Sequence, residues 1–482
     1  MLTLAEIANG TAFETPEDAF ARAADLYESA LARLADDFHR FQQSHTPPDG
    51  PPATYPFIAV DVPPDAIAGE TLLSYGRLSR PGIYAATLTE PRLFRRYYLS
   101  QMRELQANHG CKLIVGPSAT PIPLPFAIPQ ADGGLTPETL AAARAIFPLP
   151  DLAAIDDEIA NGTYRAKPGR ARPLALFSAD RVDFSLKRLR HYTGTSPEHF
   201  QSFVLFTNYQ RYVDEFIAFA RASVAAGKSR AFVEPGDRIT RPGEAPPPPL
   251  PKLPQMPAYH LIGEKGDGIT LVNIGVGPSN AKTITDHIAV LRPHCWLMIG
   301  HCGGLRESQR LGDYVLAHAY VRFDGVLDRD LPQWVPLPSI AEVQLALQQA
   351  VGEATGLAGW DVKRRLRTGT VVTTADRNWE LRYEELAVQL NQARAIAIDM
   401  ESATIAANGY RFRVPYGTLL CVSDRPLHGE MKLPGMADAF YQQSVSQHLQ
   451  IGLRALDILR GEVDRDTLHS RKLRSADEPA FR

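Results

Sequence analysis

No apolar run in this 482-residue chain approaches the roughly 20 residues needed to cross a bilayer, so no membrane-spanning helix is expected. The first residues, Met1-Leu2-Thr3-Leu4-Ala5-Glu6, lack a basic region followed by an apolar core, and a secretory leader is not expected either. Cysteine is scarce. Cys111, Cys295, Cys302 and Cys421 are far apart and form no Cys-x-x-Cys pattern, which disfavours a disulfide scaffold and a structural zinc site. Buried free thiols in a reducing compartment follow, and the expected location is cytoplasmic. Excess charge is missing as well. With 51 Lys and Arg against 54 Asp and Glu, the net charge of -3 gives no electrostatic case for binding nucleic acid or an anionic membrane. Any anionic ligand must be held by a local cluster. No grouping of metal-ligating side chains stands out, and no metal is expected.

The length exceeds what one compact core holds, so two or three domains are expected. The strongest punctuation is the stretch from Glu234 to Pro257, with Pro246-Pro247-Pro248-Pro249-Leu250-Pro251 at its centre. Such density favours extended polyproline geometry, and residues 234–257 read as a semi-rigid linker. Residues 1–233 then form an N-terminal α+β domain. Within it, Thr15 to Phe41 reads as a helix with Thr15 capping and Pro16 at the first position. Phe57 to Val62 and Lys112 to Val115 read as strands. Ser196 and Pro197 read as the start of a long helix that carries Phe200, Phe203, Val204, Tyr212, Phe216 and Phe219.

After the linker, residues 258–461 show strand–turn–helix repetition, the pattern of a mostly parallel α/β sheet. Thr270 to Ile274 is a strand closed by Gly275-Val276-Gly277-Pro278-Ser279, where glycine lets backbone N–H groups approach a ligand. Cys295 to Ile299 is the next strand, closed by a second glycine turn, Gly300-His301-Cys302-Gly303-Gly304. His301 there is either a solvated loop residue or a ligand to a substrate phosphate or hydroxyl. Gly263 to Gly268 reads as a hairpin turn, and the full dinucleotide fingerprint is not evident. Residues 462–482 form a charged tail expected to be mobile.

Two further strands end on carboxylates. Ala395 to Met400 runs into Glu401, and Tyr416 to Ser423 runs into Asp424. Strand C-termini of a parallel sheet converge on the crevice where ligands bind. Two acids delivered there suit a reaction that protonates a leaving group and stabilises a sugar cation, as in N-glycosidic cleavage. Each acid has a plainer explanation: Glu401 as the favourable charge at the next helix start, Asp424 as a turn residue paired with Arg425. A third strand end, Thr373-Thr374-Ala375-Asp376-Arg377-Asn378-Trp379, offers an aromatic that either stacks on a base or packs in the core. Basic clusters at Arg92, Arg95 and Arg96, and at Lys187, Arg188, Arg190 and His191, are either solvated faces or a phosphate site.

From Leu271 to about Leu459 these motifs resemble the purine nucleoside phosphorylase and nucleosidase superfamily. The resemblance rests on Gly275–Ser279, Gly300–Gly304 with Leu311-Gly312-Asp313, Asp399-Met400-Glu401, and Ser423-Asp424. It implies that Met400 and Glu401 contact the ribose hydroxyls and that Asp424 protonates purine N7. Asn378 and Trp379 would cover the base, with Gly277, Gly300, His301, Cys302, Gly303 and Ser423 completing the substrate site. Hexameric bacterial phosphorylases hold phosphate with an Arg and a Ser or Thr at the positions of Met298 and His301, which points to hydrolysis here. The glutamate with which small nucleosidases of the superfamily activate water has no evident equivalent around Ala258 to Gly263.

Over nearly its whole length the chain resembles the AMP nucleosidase family, through His191-Tyr192-Thr193-Gly194-Thr195-Ser196-Pro197, Phe206-Thr207-Asn208-Tyr209-Gln210 and Val272 to Lys282. That resemblance implies hydrolysis of AMP to adenine and ribose 5-phosphate, with no cofactor, by a homo-oligomer, a hexamer. It also implies an N-terminal regulatory domain answering to ATP as activator and phosphate as inhibitor. The rival readings are a nucleoside phosphorylase and a nucleotide-sensing protein with a retired catalytic fold.

Overall fold

The computed structural model describes residues 1–67, 76–128, 137–431, 438–464, 468 and 478–481. The chain divides into two compact units, Met1–Lys187 with Lys472–Arg482, and Arg188–Arg471.

The first unit holds a sheet of β1 (Thr11–Phe13), β2 (Thr54–Val62), β3 (Gly82–Thr87), β4 (Leu113–Pro121) and β5 (Arg172–Pro173), in the order β1-β4-β2-β3-β5. The expected first helix is present as Pro16–Ser44. The Thr15 hydroxyl accepts from the Asp18 N–H, and Phe20, Tyr27, Leu34, Phe38 and Phe41 form its buried stripe. The alternation of α and β elements matches the expected α+β class. Most of the tail expected to be mobile lies outside the described residues. Phe481 is described and buried, and its N–H donates to the Leu174 carbonyl.

The second unit is built on β6 (Phe203–Thr207), β7 (Ala231–Glu234), β8 (Arg238–Thr240), β9 (Ala258–Ile262), β10 (Ile269–Asn273), β11 (Cys295–Gly304), β12 (Tyr314–Phe323), β13 (Leu366–Thr374), β14 (Ala395–Asp399) and β15 (Tyr416–Asp424). Their order is β14-β13-β12-β15-β11-β6-β10-β9-β7-β8, and β14 also pairs with β11. That extra pairing closes β11, β15, β12, β13 and β14 into a ring. The site-bearing strands β10, β6, β11 and β15 run parallel to one another. Antiparallel pairings join β9 to β10 and β12 to β15, so the sheet is mixed rather than mostly parallel throughout. The β9–β10 connection is the hairpin expected at Gly263–Gly268.

Three expectations change. The long helix starting at Ser196 does not form: a short turn at Pro197–His199 is followed by β6, and a helix runs only over Gln210–Ala225. Phe203, Val204, Leu205 and Phe206 are all 0% exposed, covered on both faces as a central parallel strand requires. Burying each is worth about 1.5–3 kcal/mol, which outweighs the helical spacing of the aromatics. Ser196 does not cap; its hydroxyl donates to Asp237 at 2.7 Å.

The second change concerns the division. β6, β7 and β8 belong to the second unit's sheet, so the compact units part at Lys187 and not at the proline-rich stretch. Residues 234–257 contribute the edge strand β8, and the Met256 N–H donates to the Tyr192 carbonyl within the same unit. The third concerns Gly300–Gly304, which is no turn. β11 continues through it, in register with β15.

Candidate active site

Three strand ends supply one cluster. Asn208 follows β6, Gly277 follows β10, and Glu401 follows β14. The Glu401 carboxylate is 2% exposed and accepts two hydrogen bonds. Asn208 Nδ2 donates to Oε2 at 2.9 Å, and the Gly277 N–H donates to Oε1 at 2.6 Å. Gly277 has φ +111° and ψ 155°, a conformation open essentially to glycine alone, and this aims its N–H at the acid. Gly300 is closely approached: a Cβ there would stand 3.3 Å from Asn208 Oδ1 and 3.1 Å from the Met298 methyl. Burial raises the Glu401 pKa, and the neighbouring Asp399 charge raises it further; the Gly277 and Asn208 donors oppose both.

Glu401 stands at the N-cap of the helix Ser402–Phe412 but makes no side-chain capping bond. Asp399 takes that task. Its carboxylate accepts from the Ser402 N–H at 2.9 Å, from the Ser402 hydroxyl, and from the Thr373 hydroxyl at 2.5 Å. The Thr373 oxygen in turn accepts from the Ala403 N–H at 2.8 Å. The helix start is therefore satisfied without Glu401, and capping does not account for that residue.

Asp424 ends β15 in register with Gly303 of β11, and Gly303 is in register with Ile398 of β14. With neighbouring strands about 4.8 Å apart, the backbones at Asp424 and Ile398 flank Gly303 at a separation of roughly 10 Å. A Cβ on Gly303 would lie 3.9 Å from Asp424 Oδ2. The Ser423 hydroxyl donates to Asp424 Oδ1 at 2.5 Å. Arg425 is committed elsewhere: it pairs with Glu430 and donates to the Glu307 and Gln309 carbonyls. The turn explanation, with Arg425 neutralising Asp424, does not match this arrangement.

The other expected residues fall in three groups. Met400 and Ser423 are half-buried and adjoin the two acids. Cys302 is buried in the β11–β15 pairing with its thiol toward the Cys421 carbonyl, and His301 is buried against Tyr209 and Tyr212. Asn378 is exposed, its N–H donating to Asp376, whereas Trp379 packs with Leu305, Val372, Leu390, Ala395 and Ile398. Trp379 thus lies in the core beneath the Ile398 end of β14, matching the packing alternative. The basic clusters are engaged too. Arg92 forms a two-pronged pair with Glu28, Arg95 lies over the Phe20 ring, Arg188 bonds the Tyr192 hydroxyl and Arg190 pairs with Asp237. Met298, where the phosphorylases carry arginine, is 1% exposed inside β11.

Asn208, Tyr209, Tyr212 and Asp399 belong to this neighbourhood and were not among the expected site residues. The available signal was Phe203 to Thr207, a continuous apolar and β-branched run ending on Asn208. It reads as a buried strand with a polar terminus, as the runs before Glu401 and Asp424 do. Among the described residues, no group of three or more His, Cys, Asp or Glu is placed to hold a metal.

Residues 18–171 match the family model for the bacterial AMP nucleoside phosphorylase N-terminus, and residues 255–457 match that of the phosphorylase superfamily. Over 480 residues the chain is 53% identical to the AMP nucleosidase of Escherichia coli (strain K12), covering 97% of this chain and 98% of that one. The chain belongs to the AMP nucleosidase family. A more distant relative, the guanosine phosphorylase of Halorubrum lacusprofundi, is 24% identical over 206 residues, 42% of this chain and 81% of its own. The crystal structure of AMP nucleosidase from Bacteroides thetaiotaomicron VPI-5482 aligns with 26% identity and a TM-score of 0.44, over 59% of this chain and 99% of that one.

Proposed function

We propose that this enzyme hydrolyses the N-glycosidic bond of AMP to adenine and D-ribose 5-phosphate, in purine nucleotide salvage and control of the adenylate pool. What supports this reading is that the two acids stand at the ends of the strands that flank β11, in a chain 53% identical to an AMP nucleosidase. Glu401 is held by Gly277 and Asn208, and Asp424 flanks the same β11 end at Gly303. Asp424 donates a proton to N7, so that adenine leaves neutral; acid catalysis of this type contributes roughly 10²–10⁴-fold. Glu401 accepts hydrogen bonds from the ribose hydroxyls, and its charge stabilises the oxocarbenium ion in a site largely shielded from water. Met400 packs beside the ribose, and Asn378 sits toward the base, with Trp379 packed in the core behind it.

Hydrolysis is favoured over phosphorolysis because Met298 fills the expected arginine position and is sealed inside the strand. The assay is adenine or hypoxanthine release from AMP, adenosine and inosine, each with and without phosphate. Release from AMP alone, independent of phosphate, is the expected result. Phosphate-dependent release from nucleosides would establish a phosphorylase instead, and binding without release a sensor.

The same reading makes the enzyme a cytoplasmic homo-oligomer, a hexamer, activated by ATP and inhibited by phosphate through the N-terminal unit. Trp334 and Trp360, 81% and 87% exposed on the second unit, supply apolar surface that another copy would cover. Light scattering coupled to size exclusion tests the assembly.

A further inference from the structure

A chain of buried groups runs up to His301 and has no part in the mechanism above. His448, on the helix Asp438–Asp464, is 0% exposed, and its Nε2 lies 3.1 Å from the Leu419 carbonyl oxygen. A carbonyl only accepts, so Nε2 carries the hydrogen. Burial drives the His448 pKa down to about 3, so the ring is neutral and Nδ1 presents a lone pair. The Tyr212 hydroxyl, 2.7 Å from that Nδ1, gives it its single hydrogen. Toward His301 Nε2, at 3.4 Å, the Tyr212 oxygen can then only accept. His301 Nε2 is therefore the donor, and whenever the His301 ring is neutral its lone pair lies on Nδ1.

His301 lies on the strand between the parts of the site that carry the two acids. It sits on β11 between Gly300, against which Asn208 packs, and Gly303, in register with Asp424. The edge-on Tyr209 ring, with centroids 4.6 Å apart, fixes its plane.

Granting the hydrolysis of AMP proposed above, we infer that His301 is the base that deprotonates the attacking water through Nδ1, with Tyr212 and His448 as positioning residues that hold its tautomer. The water oxygen forms a bond to C1′ while the C1′–N9 bond breaks and its electron pair leaves with adenine. One proton passes from water to His301 Nδ1, and another from Asp424 to adenine N7. Loss of the His301 proton to solvent and uptake of one by Asp424 reset the enzyme. While His301 is cationic, the Tyr212 oxygen accepts from its Nε2–H.

The test uses the full-length His301→Gln, Tyr212→Phe and Asp424→Asn enzymes with AMP, in water and with added sodium azide. Azide is a nucleophile with no proton to lose, so it bypasses a missing base but not a missing acid. His301→Gln should lose roughly 100-fold or more in kcat with KM within about threefold, and azide should restore adenine release with a ribosyl azide 5-phosphate as product. Tyr212→Phe should lose about tenfold and be restored in the same way, whereas Asp424→Asn should not respond. Wild-type turnover in His301→Gln, a loss confined to KM, or failure of azide to rescue a variant that still binds AMP would overturn the assignment. If His301→Gln does not fold, Tyr212→Phe, which removes one oxygen, decides by the same azide response. A wild-type enzyme that releases no adenine from AMP would sink the functional reading itself, and this inference with it.

Discussion

Asn208 and Glu401 lie 193 residues apart in sequence and are joined by a 2.9 Å hydrogen bond from the amide to the carboxylate. The bond ties the end of β6, which precedes the proline-rich stretch, to the end of β14, so the acid proposed to face the ribose is oriented by a residue from the front of the unit. Asn208→Ala should therefore impair chemistry rather than folding. A hydrogen bond to a charged group is worth about 1.5–3 kcal/mol, so kcat/KM for AMP should fall by about 10- to 150-fold. Steady-state kinetics checks this, with thermal unfolding as control; unchanged kcat/KM would show that Glu401 does not depend on Asn208.

Glu401 itself should be a stability liability. Its pKa in the folded protein is raised above 4.5, by burial first and by Asp399 second. The folded state then binds that proton more tightly than the unfolded chain, so stability is lost as pH rises from 4.5 through the raised value. Glu401→Gln removes the titration, and Asn208, whose Oδ1 has no hydrogen-bond partner, can turn to offer it to the new amide. The variant should be catalytically crippled, yet more resistant to urea than wild type at neutral pH. Below pH 4.5 the difference should vanish, and urea unfolding across pH reads it directly. A variant less stable than wild type at pH 8 would contradict the sign.

The second unit should need β6. A fragment of residues 179–471 contains every strand from β6 to β15, whereas one starting at 258 loses β6, β7 and β8 and leaves β10 and β11 without the strand between them. The longer fragment should unfold cooperatively by circular dichroism and the shorter should aggregate. A soluble, cooperative 258–471 fragment would place the structural boundary at the proline-rich stretch after all.

Much of this arrangement was legible in the residues. The apolar runs ending at Glu401 and Asp424 announced strands with acidic termini, and the Gly275–Ser279 turn announced a strand–helix junction, although its Gly277 N–H meets the Glu401 carboxylate. Thr15 and Pro16 announced a helix start, and the cap formed as expected. What stayed hidden depended on tertiary context. Phe200, Phe203, Val204 and Tyr212 recur at helical intervals, yet four adjacent residues from Phe203 to Phe206 are all buried, as suits a strand covered on both faces. Gly300–Gly304 has turn composition, but its glycines serve close approach: Asn208 beside Gly300, and the Ile398 side chain beside Gly303. The exchange of roles between Asp399 and Glu401 was also invisible, because either acid could cap the following helix until Ser402 and Thr373 were seen to converge on Asp399. Proline density read as a boundary, although a proline-rich loop is equally at home inside one unit when an edge strand anchors it.

Whether adenine departs with a proton supplied by Asp424 is decided by single-turnover adenine release from AMP in Asp424→Asn. The rate should fall by roughly 10²–10⁴-fold while AMP affinity, measured by equilibrium dialysis, stays close to that of the wild type. Release at the wild-type rate would contradict it.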